Sequence, residues 1–276
     1  MNSAGWVKDK GVLITGAGRG IGKRLAIGFA QHSARVALLA RSKAELDLTN
    51  LEIEHAGGSS LRLRANVCDL EQLTAAVGRM RTHYGRIDIL VCSAAIPGPI
   101  GPFLETPAHA WAEAIETNLL GVVNACRAVL PYMTEKRSGK IIVLVGRGAA
   151  DPRPNFSAYA VSKAAVVRFV ETLAEEVQDY NIQVNAMSPG GTYTHMTDEI
   201  LRAGGKAGWK EQQRALELRL TGGEPPEKQL QLALFLASEA ANHISGRLIH
   251  VSDDWRRLAH TTPSRDLYTL RRVQKG

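Results

Sequence analysis

Tyr159 and Lys163 stand four residues apart in the string Tyr159-Ala160-Val161-Ser162-Lys163. On a helix that spacing puts the phenol and the ammonium on one face. A phenol ionises near pH 10 and is a poor base at neutral pH, and a cation beside it favours the phenolate. Such a pair is suited to exchange a proton with an alcohol or carbonyl oxygen. A surface tyrosine–lysine pair is the plain alternative, because YxxxK also arises by chance.

A second signature lies near the start of the chain. Thr15-Gly16-Ala17-Gly18-Arg19-Gly20-Ile21-Gly22 follows a short apolar run and opens a segment of helical period. Glycines let a backbone turn tightly and approach a pyrophosphate, and the helix behind them offers N–H groups and a positive dipole end. Gly16, Gly20, Ile21 and Gly22 are therefore candidate dinucleotide contacts. An acidic residue after the second strand would bind the ribose 2′-hydroxyl of NAD. This chain has Leu39-Ala40-Arg41-Ser42 there, with no carboxylate. Arg41 and Arg19 are placed to meet a 2′-phosphate, which a guanidinium fork suits. NADP(H) is the expected cofactor, and two solvated arginines are the alternative. With a nicotinamide moving hydride, the tyrosine–lysine pair would complete carbonyl–alcohol redox chemistry.

The net charge points elsewhere. A formal +7 over 276 residues invites a nucleic-acid reading. Arg256, Arg257, Arg265, Arg271, Arg272 and Lys275 against Asp266 put +5 of it in residues 256–276, leaving +2 for residues 1–255. Nucleic acid is therefore not an expected partner. A composition of 45% hydrophobic and 22% charged residues excludes an intrinsically disordered chain. No apolar run approaches the ~20 residues of a membrane span, and residues 1–10 lack a signal-peptide core. Cys68, Cys92 and Cys126 are scattered without CxxC spacing. A cytoplasmic location is expected and a metal site is not.

These residues need elements to hold them. Short β-branched runs alternate with helical-period segments, which predicts an α/β fold: a three-layer αβα sandwich around a seven-stranded, mostly parallel sheet. Strands are expected at 12–15, 36–40, 61–67, 87–92, 140–145, 183–187 and 247–251. Helices are expected at 20–32, 42–55 and 70–84, from about 107, and over 120–136, 156–180 and 226–237. Residues 194–223, broken by five glycines, read as a mobile lid. One domain is expected over 1–255, followed by a basic extension at 256–276 that is either an ordered arm or a frayed end. Ligands in such sheets sit beyond the carboxyl ends of the strands.

The TGxxxGxG turn, Tyr159 with Lys163, Ser188-Pro189-Gly190 after the sixth strand, and Asn118-Leu119-Leu120-Gly121 together resemble the short-chain dehydrogenase/reductase (SDR) family, over roughly residues 10–252. The resemblance implies a Rossmann-type fold and an oxidoreductase interconverting a carbonyl and a secondary alcohol. It implies Tyr159 as general acid/base. Lys163 would bind the nicotinamide ribose and lower the tyrosine pKa, and Asn118 would hold a water in the proton relay. Thr194 would contact the carboxamide or a phosphate. Asn66, Val67, Ser93, Pro189, Gly190 and Thr192 would complete the cofactor contacts. Arg19 and Arg41 fall where NADP-preferring members carry basic residues. A homodimer or homotetramer packed through 120–136 and 156–180 is implied, as is a small-molecule substrate.

The chain departs from the family in several places. The catalytic serine expected thirteen residues before Tyr159 is Gly146, in Val145-Gly146-Arg147-Gly148. Losing that hydrogen-bond donor costs on the order of 10²–10³ in rate. Arg147, a water, or the substrate's own groups are the candidate substitutes, with Asp151, Asn155 and Ser157 as weaker pocket candidates. Cys92-Ser93-Ala94-Ala95 replaces Asn-Asn-Ala-Gly, Asn66 stands where an aspartate commonly contacts adenine, and Ser252-Asp253-Asp254-Trp255 replaces the usual Asp-Gly-Gly ending. The glycine at 146 leaves a second reading open, a catalytically impaired nucleotide-binding sensor or scaffold. For the substrate, Arg147, Arg153 and the basic residues of 194–223 suggest an acidic or phosphorylated group, with solvated helix faces as the alternative.

Overall fold

The computed structural model describes residues 5–264 and 266–271. Arg265, Arg272 and Lys275 of the basic extension lie outside them, as do the outer ends of the 1–255 and 256–276 ranges.

Seven strands form one sheet: β1 (Gly11–Thr15), β2 (Arg35–Ala40), β3 (Ser60–Arg64), β4 (Ile89–Cys92), β5 (Gly139–Leu144), β6 (Ile182–Ser188) and β7 (Leu248–His250). Their order is β3-β2-β1-β4-β5-β6-β7, and each neighbouring pair is parallel. The helices are α1 (Gly20–Gln31), α2 (Lys43–His55), α3 (Leu70–Tyr84), α4 (Ala108–Ile115), α5 (Gly121–Lys136), α6 (Ser157–Glu176), α7 (His195–Ala203), α8 (Trp209–Thr221) and α9 (Pro226–Ala237). They cover both faces, so the expected sandwich is present.

The two faces follow from side-chain alternation along the strands. Val12, Ile14, Val36 and Leu38 pack into the layer of α1 and α9 with Leu25, Phe29, Leu232 and Phe235. Leu13, Ala37 and Leu39 point the other way, into the layer of α3, α5 and α6 with Val77, Val129, Val166 and Val170. Because β1 is bonded to both β2 and β4, the strand order reverses there. A crevice opens at the carboxyl ends of β1 and β4.

Three boundaries differ from expectation. β3 stops at Arg64 instead of Val67. Asn66 Oδ1 accepts from the Cys68 amide at 3.2 Å, and this local turn competes with the ladder. The helices around 107–136 are not separate: α4 runs through a π-helical segment, Glu116–Leu120, directly into α5. The long helix ends at Glu176, followed by a 3₁₀ turn at Gln178–Tyr180. Residues 194–223 form α7 and α8 joined through the 3₁₀ turn Gly204–Ala207. Past β7, Trp255 and Leu258 are buried against the sheet's α1/α9 layer. Among the described residues no helix is long and apolar enough to cross a membrane.

Candidate active site

A cavity of about 780 Å³ occupies the crevice. It collects chemistry from every element that ends there.

The glycine turn forms its floor. Gly16 has φ +67°, and a Cβ there would lie 2.7 Å from the Ala94 amide nitrogen. A Cβ on Gly22 would run into the Gly16 carbonyl. Only glycine lets these backbones pass so closely. α1 starts with no side-chain cap and no acidic residue in its first turn, so its free amides and dipole end face the cavity unopposed. That cradle fits the pyrophosphate of a dinucleotide. Gly16, Arg19, Gly20 and Ile21 line the cavity, whereas Gly22 supports the turn from behind.

Arg19 and Arg41 reach the same end of the cavity, beside Ser42 and Glu45. Glu45 is not the ribose carboxylate missing from the end of β2. It sits in the first turn of α2, where its amide donates to the capping Ser42 Oγ at 3.2 Å. Its carboxylate lies 3.7 Å from Arg19 Nη1, a loose pair with both side chains over a third exposed. Asn66, Val67 and Ser93 line the next stretch. Asn66 Oδ1 is engaged in its own turn, and the Ser93 amide donates to Thr15 Oγ1 at 3.2 Å. On the β6 side lie Pro189, Gly190, Thr192 and Thr194. Gln229 Nε2 ties this loop to α9 by donating to the Pro189 carbonyl at 3.0 Å and contacting Thr192 Oγ1. Thr194 starts α7, its amide donating to Thr197 Oγ1 at 3.1 Å.

The far end holds Tyr159 and Lys163 in the first two turns of α6, both buried. Lys163 Nζ donates to the Leu144 carbonyl at 2.9 Å. Burial lowers its pKa to about 8, opposed by the Cys92 thiol nearby. At Tyr159 burial holds the phenol above its ordinary range, and Arg153 is a cation that works against that rise. Lys163 Nζ stands 5.8 Å from the Tyr159 ring centroid, itself desolvated and bonded to a carbonyl.

Asn118 does not line the cavity. It is fully buried in the π-helical segment, where its Oδ1 accepts from the Ile96 amide at 2.8 Å. Its Nδ2 donates to the Ile96 carbonyl at 2.9 Å and to Ser162 Oγ at 3.0 Å. Ser162 Oγ in turn donates to the Tyr159 carbonyl at 2.7 Å. This chain of bonds fixes the first turn of α6 against the β4–α4 loop. The side chain of Asn118 is therefore committed to protein partners.

Gly146 has a specific steric consequence. A Cβ at this position would lie 2.6 Å from Tyr159 Oη. The phenol rests in the notch that any larger residue would fill. Arg147 does not turn toward that notch. Its Nη1 donates to Glu211 Oε1 of α8 at 2.5 Å, and Arg153 holds the other carboxylate oxygen at 2.6 Å through Nη2. Of the weaker candidates, Asp151 lines the cavity, while Ser157 Oγ accepts from Trp111 Nε1 at 3.1 Å. Glu211 and Ser162 are site residues that the sequence did not single out, and Arg153, expected only at the substrate mouth, lies against Tyr159. Among the described residues no cluster of His, Cys, Asp and Glu could hold a metal ion.

The chain is similar to known proteins. Residues 10–204 match the family model described as short chain dehydrogenase. The chain is 34% identical over 247 residues to the 3-oxoacyl-(acyl-carrier-protein) reductase FabG of Thermotoga maritima, covering 89% of this chain and 97% of that one. It is 35% identical over 249 residues to the oxidoreductase UcpA of Salmonella typhimurium, covering 88% and 92%. Among solved structures, a gluconate 5-dehydrogenase from Burkholderia cenocepacia in complex with NADP and tartrate superimposes with a TM-score of 0.78 at 27% identity, covering 88% and 93%. By fold, by the turn and tyrosine–lysine pair that face each other across its crevice, and by these matches, the chain belongs to the short-chain dehydrogenase family of oxidoreductases.

Proposed function

We propose that the protein is an NADP(H)-dependent oxidoreductase that interconverts a carbonyl and a secondary alcohol on a small molecule. The observation that carries this reading is one cavity with a phosphate cradle and two arginines at one end and Tyr159 with Lys163 at the other. Bound NADP(H) would supply or accept the hydride at its nicotinamide. Arg19 and Arg41 grip the 2′-phosphate, as the missing β2 carboxylate implies. Gly16, Gly20, Ile21 and Gly22 form the pyrophosphate turn, Asn66 and Val67 border the adenine, and Ser93, Pro189, Gly190, Thr192 and Thr194 border the nicotinamide half. Support for NADP also comes from the gluconate 5-dehydrogenase structure, which holds that cofactor.

In reduction, the Tyr159 hydroxyl gives its proton to the substrate oxygen, and in oxidation the phenolate takes it back. Lys163 binds the nicotinamide ribose through the N–H bonds not used by Leu144. Asn118 serves the tyrosine by holding the start of α6 in place. Arg147 keeps nitrogens without a hydrogen bond among the described residues and half its side chain exposed at the cavity. Those nitrogens are the candidate donors to the substrate in place of the serine hydroxyl, reached from the Glu211 side of the cavity and not from the Gly146 notch. A homodimer or homotetramer is part of the proposal, supported by exposed Leu120 and Val161 beside the helices expected to pair. So is a cytoplasmic setting, supported by three unpaired cysteines.

The test is Tyr159→Phe, assayed against a panel of secondary alcohols and ketones with NADP(H) and NAD(H). The wild type should turn over with NADP(H) preferred. The variant should lose turnover by about 10³-fold or more while NADPH fluorescence still reports binding. Retained turnover in the variant, or an inert wild type, overturns the reading.

A further inference from the structure

The proposed reaction requires Tyr159 to ionise, and its burial opposes that. Lys163 Nζ lies 5.8 Å from the Tyr159 ring centroid, with one proton committed to the Leu144 carbonyl. A second cation is nearer. The guanidinium carbon of Arg153 lies 5.3 Å from that centroid and 3.9 Å from the centroid of Phe156. The Arg153 side chain is 8% exposed, so its field reaches the phenol through protein rather than water.

Arg153 does not hold this pose alone. Nε and Nη2 donate to Glu211 Oε2 at 3.2 and 2.6 Å, while Arg147 takes Oε1. Glu211 belongs to α8, so a carboxylate from the lid fixes a guanidinium over the two aromatic rings. Two guanidiniums around one carboxylate leave a net positive charge beside Tyr159.

Other charges share the cavity. Lys163 is on the tyrosine's own helix, and Asp151 is exposed on the loop that carries Arg153. On α7, His195 and Glu199 face each other at 3.6 Å. On α8, Arg214 lies against Gly191. Of these, Arg153 is the one whose guanidinium lies over both the Tyr159 and Phe156 rings.

We propose that Arg153, held in place by Glu211 of α8, is a second positioning cation, beside Lys163, that eases ionisation of Tyr159 in this chain, where the hydroxyl that usually assists the tyrosine is replaced by Gly146. Seating of α8 and readiness of the tyrosine are then one event. This rests on Tyr159 being the acid/base of the proposed function, but its test does not depend on turnover.

The test is ultraviolet difference titration of phenolate on the intact protein, with circular dichroism at each pH to confirm folding. Subtracting Tyr159→Phe isolates Tyr159 from the other five tyrosines. Arg153→Met should raise the Tyr159 midpoint by about one pH unit or more, and Arg153→Lys, which keeps charge and bulk, should raise it by less. Glu211→Ala removes a negative charge, which alone would lower the midpoint; a rise therefore reports loss of the guanidinium's position. NADPH binding should survive in all three. An unchanged midpoint in Arg153→Met, a lowered one in Glu211→Ala, or no Tyr159 step below about pH 12 in the wild type overturns the proposal. Failure of the redox reading would instead appear in the turnover of Tyr159→Phe.

Discussion

Gly146 is the residue on which the sequence and the structure say different things. By position it lacks a serine hydroxyl, which suggests that Gly146→Ser would restore one. By geometry it provides room, because a Cβ there would lie 2.6 Å from Tyr159 Oη. The phenol ends a rigid ring packed with Phe156, Ile200, Ala207 and Ala215 on one side and open to the cavity on the other, so it yields by swinging off its present position. A displacement of this kind at a reacting group costs on the order of 10- to 100-fold in rate. Gly146→Ser and Gly146→Ala should therefore both lower kcat, with NADPH binding retained. A serine variant faster than the wild type, beside a slower alanine variant, would show that the hydroxyl is what the site lacks. The same contrast explains what was legible here. Tyr159 and Lys163 can be read from spacing because one helix carries both. Arg153 and Glu211 stand 58 positions apart, and only the folding of α8 over the β5–α6 loop brings them together.

At the scale of elements, most of the sheet was legible because strands covered on both faces are continuous apolar runs. β5 is the clearest case, buried along all six residues, and it contains an exception that predicts behaviour. Lys140 is 8% exposed at the amino end of β5, and its Nζ donates to Asn242 Oδ1 at 2.7 Å. Burial lowers its pKa from 10.5 to about 7, with Glu239 opposing that fall and Lys10 adding to it. Below about pH 7 the lysine is charged in both states and burial exerts its full cost. Between about 7 and 10.5 the unfolded chain keeps a proton that the folded chain has lost, so stability rises with pH. Lys140→Met should raise stability at pH 7 by about 2 kcal/mol, discounted from the full shift. It should also flatten the rise between pH 7 and 10. Urea unfolding across that range checks both, and an unchanged slope would mean that Lys140 is not the group responsible. The π-helical segment at Glu116–Leu120 was not legible, since a single widened turn keeps the helix direction and this one contains neither glycine nor proline to mark it.

For the whole molecule, the basic extension turns from a charge into a piece of structure. β7 is an edge strand of three residues, and an uncovered edge is a site for unwanted pairing. Here the Leu248 amide donates outward to the Tyr268 carbonyl at 2.7 Å, and Arg247 Nη1 donates to the Leu267 carbonyl at 3.0 Å. The extension also reaches α6. Glu171 is 8% exposed, and its carboxylate accepts from the Leu270 amide at 2.7 Å and from Arg271 Nη1 at 3.1 Å, with Arg168 as a third partner. Arg256 and Arg257 find Gln231 and Asp254 on the body. A chain ending at His260 would leave the β7 edge open and take the Leu270 and Arg271 partners from the nearly buried Glu171. Removing partners from a buried carboxylate and exposing a strand edge should cost about 2–4 kcal/mol. Urea unfolding should register that loss, and light scattering should register new self-association through the open edge. Glu171→Gln in the full-length chain should reproduce part of the stability loss without the association, because the Tyr268 contact to β7 stays. If truncation changed neither measurement, the extension would be an ornament on the fold, and the charge of residues 256–276 would need another use.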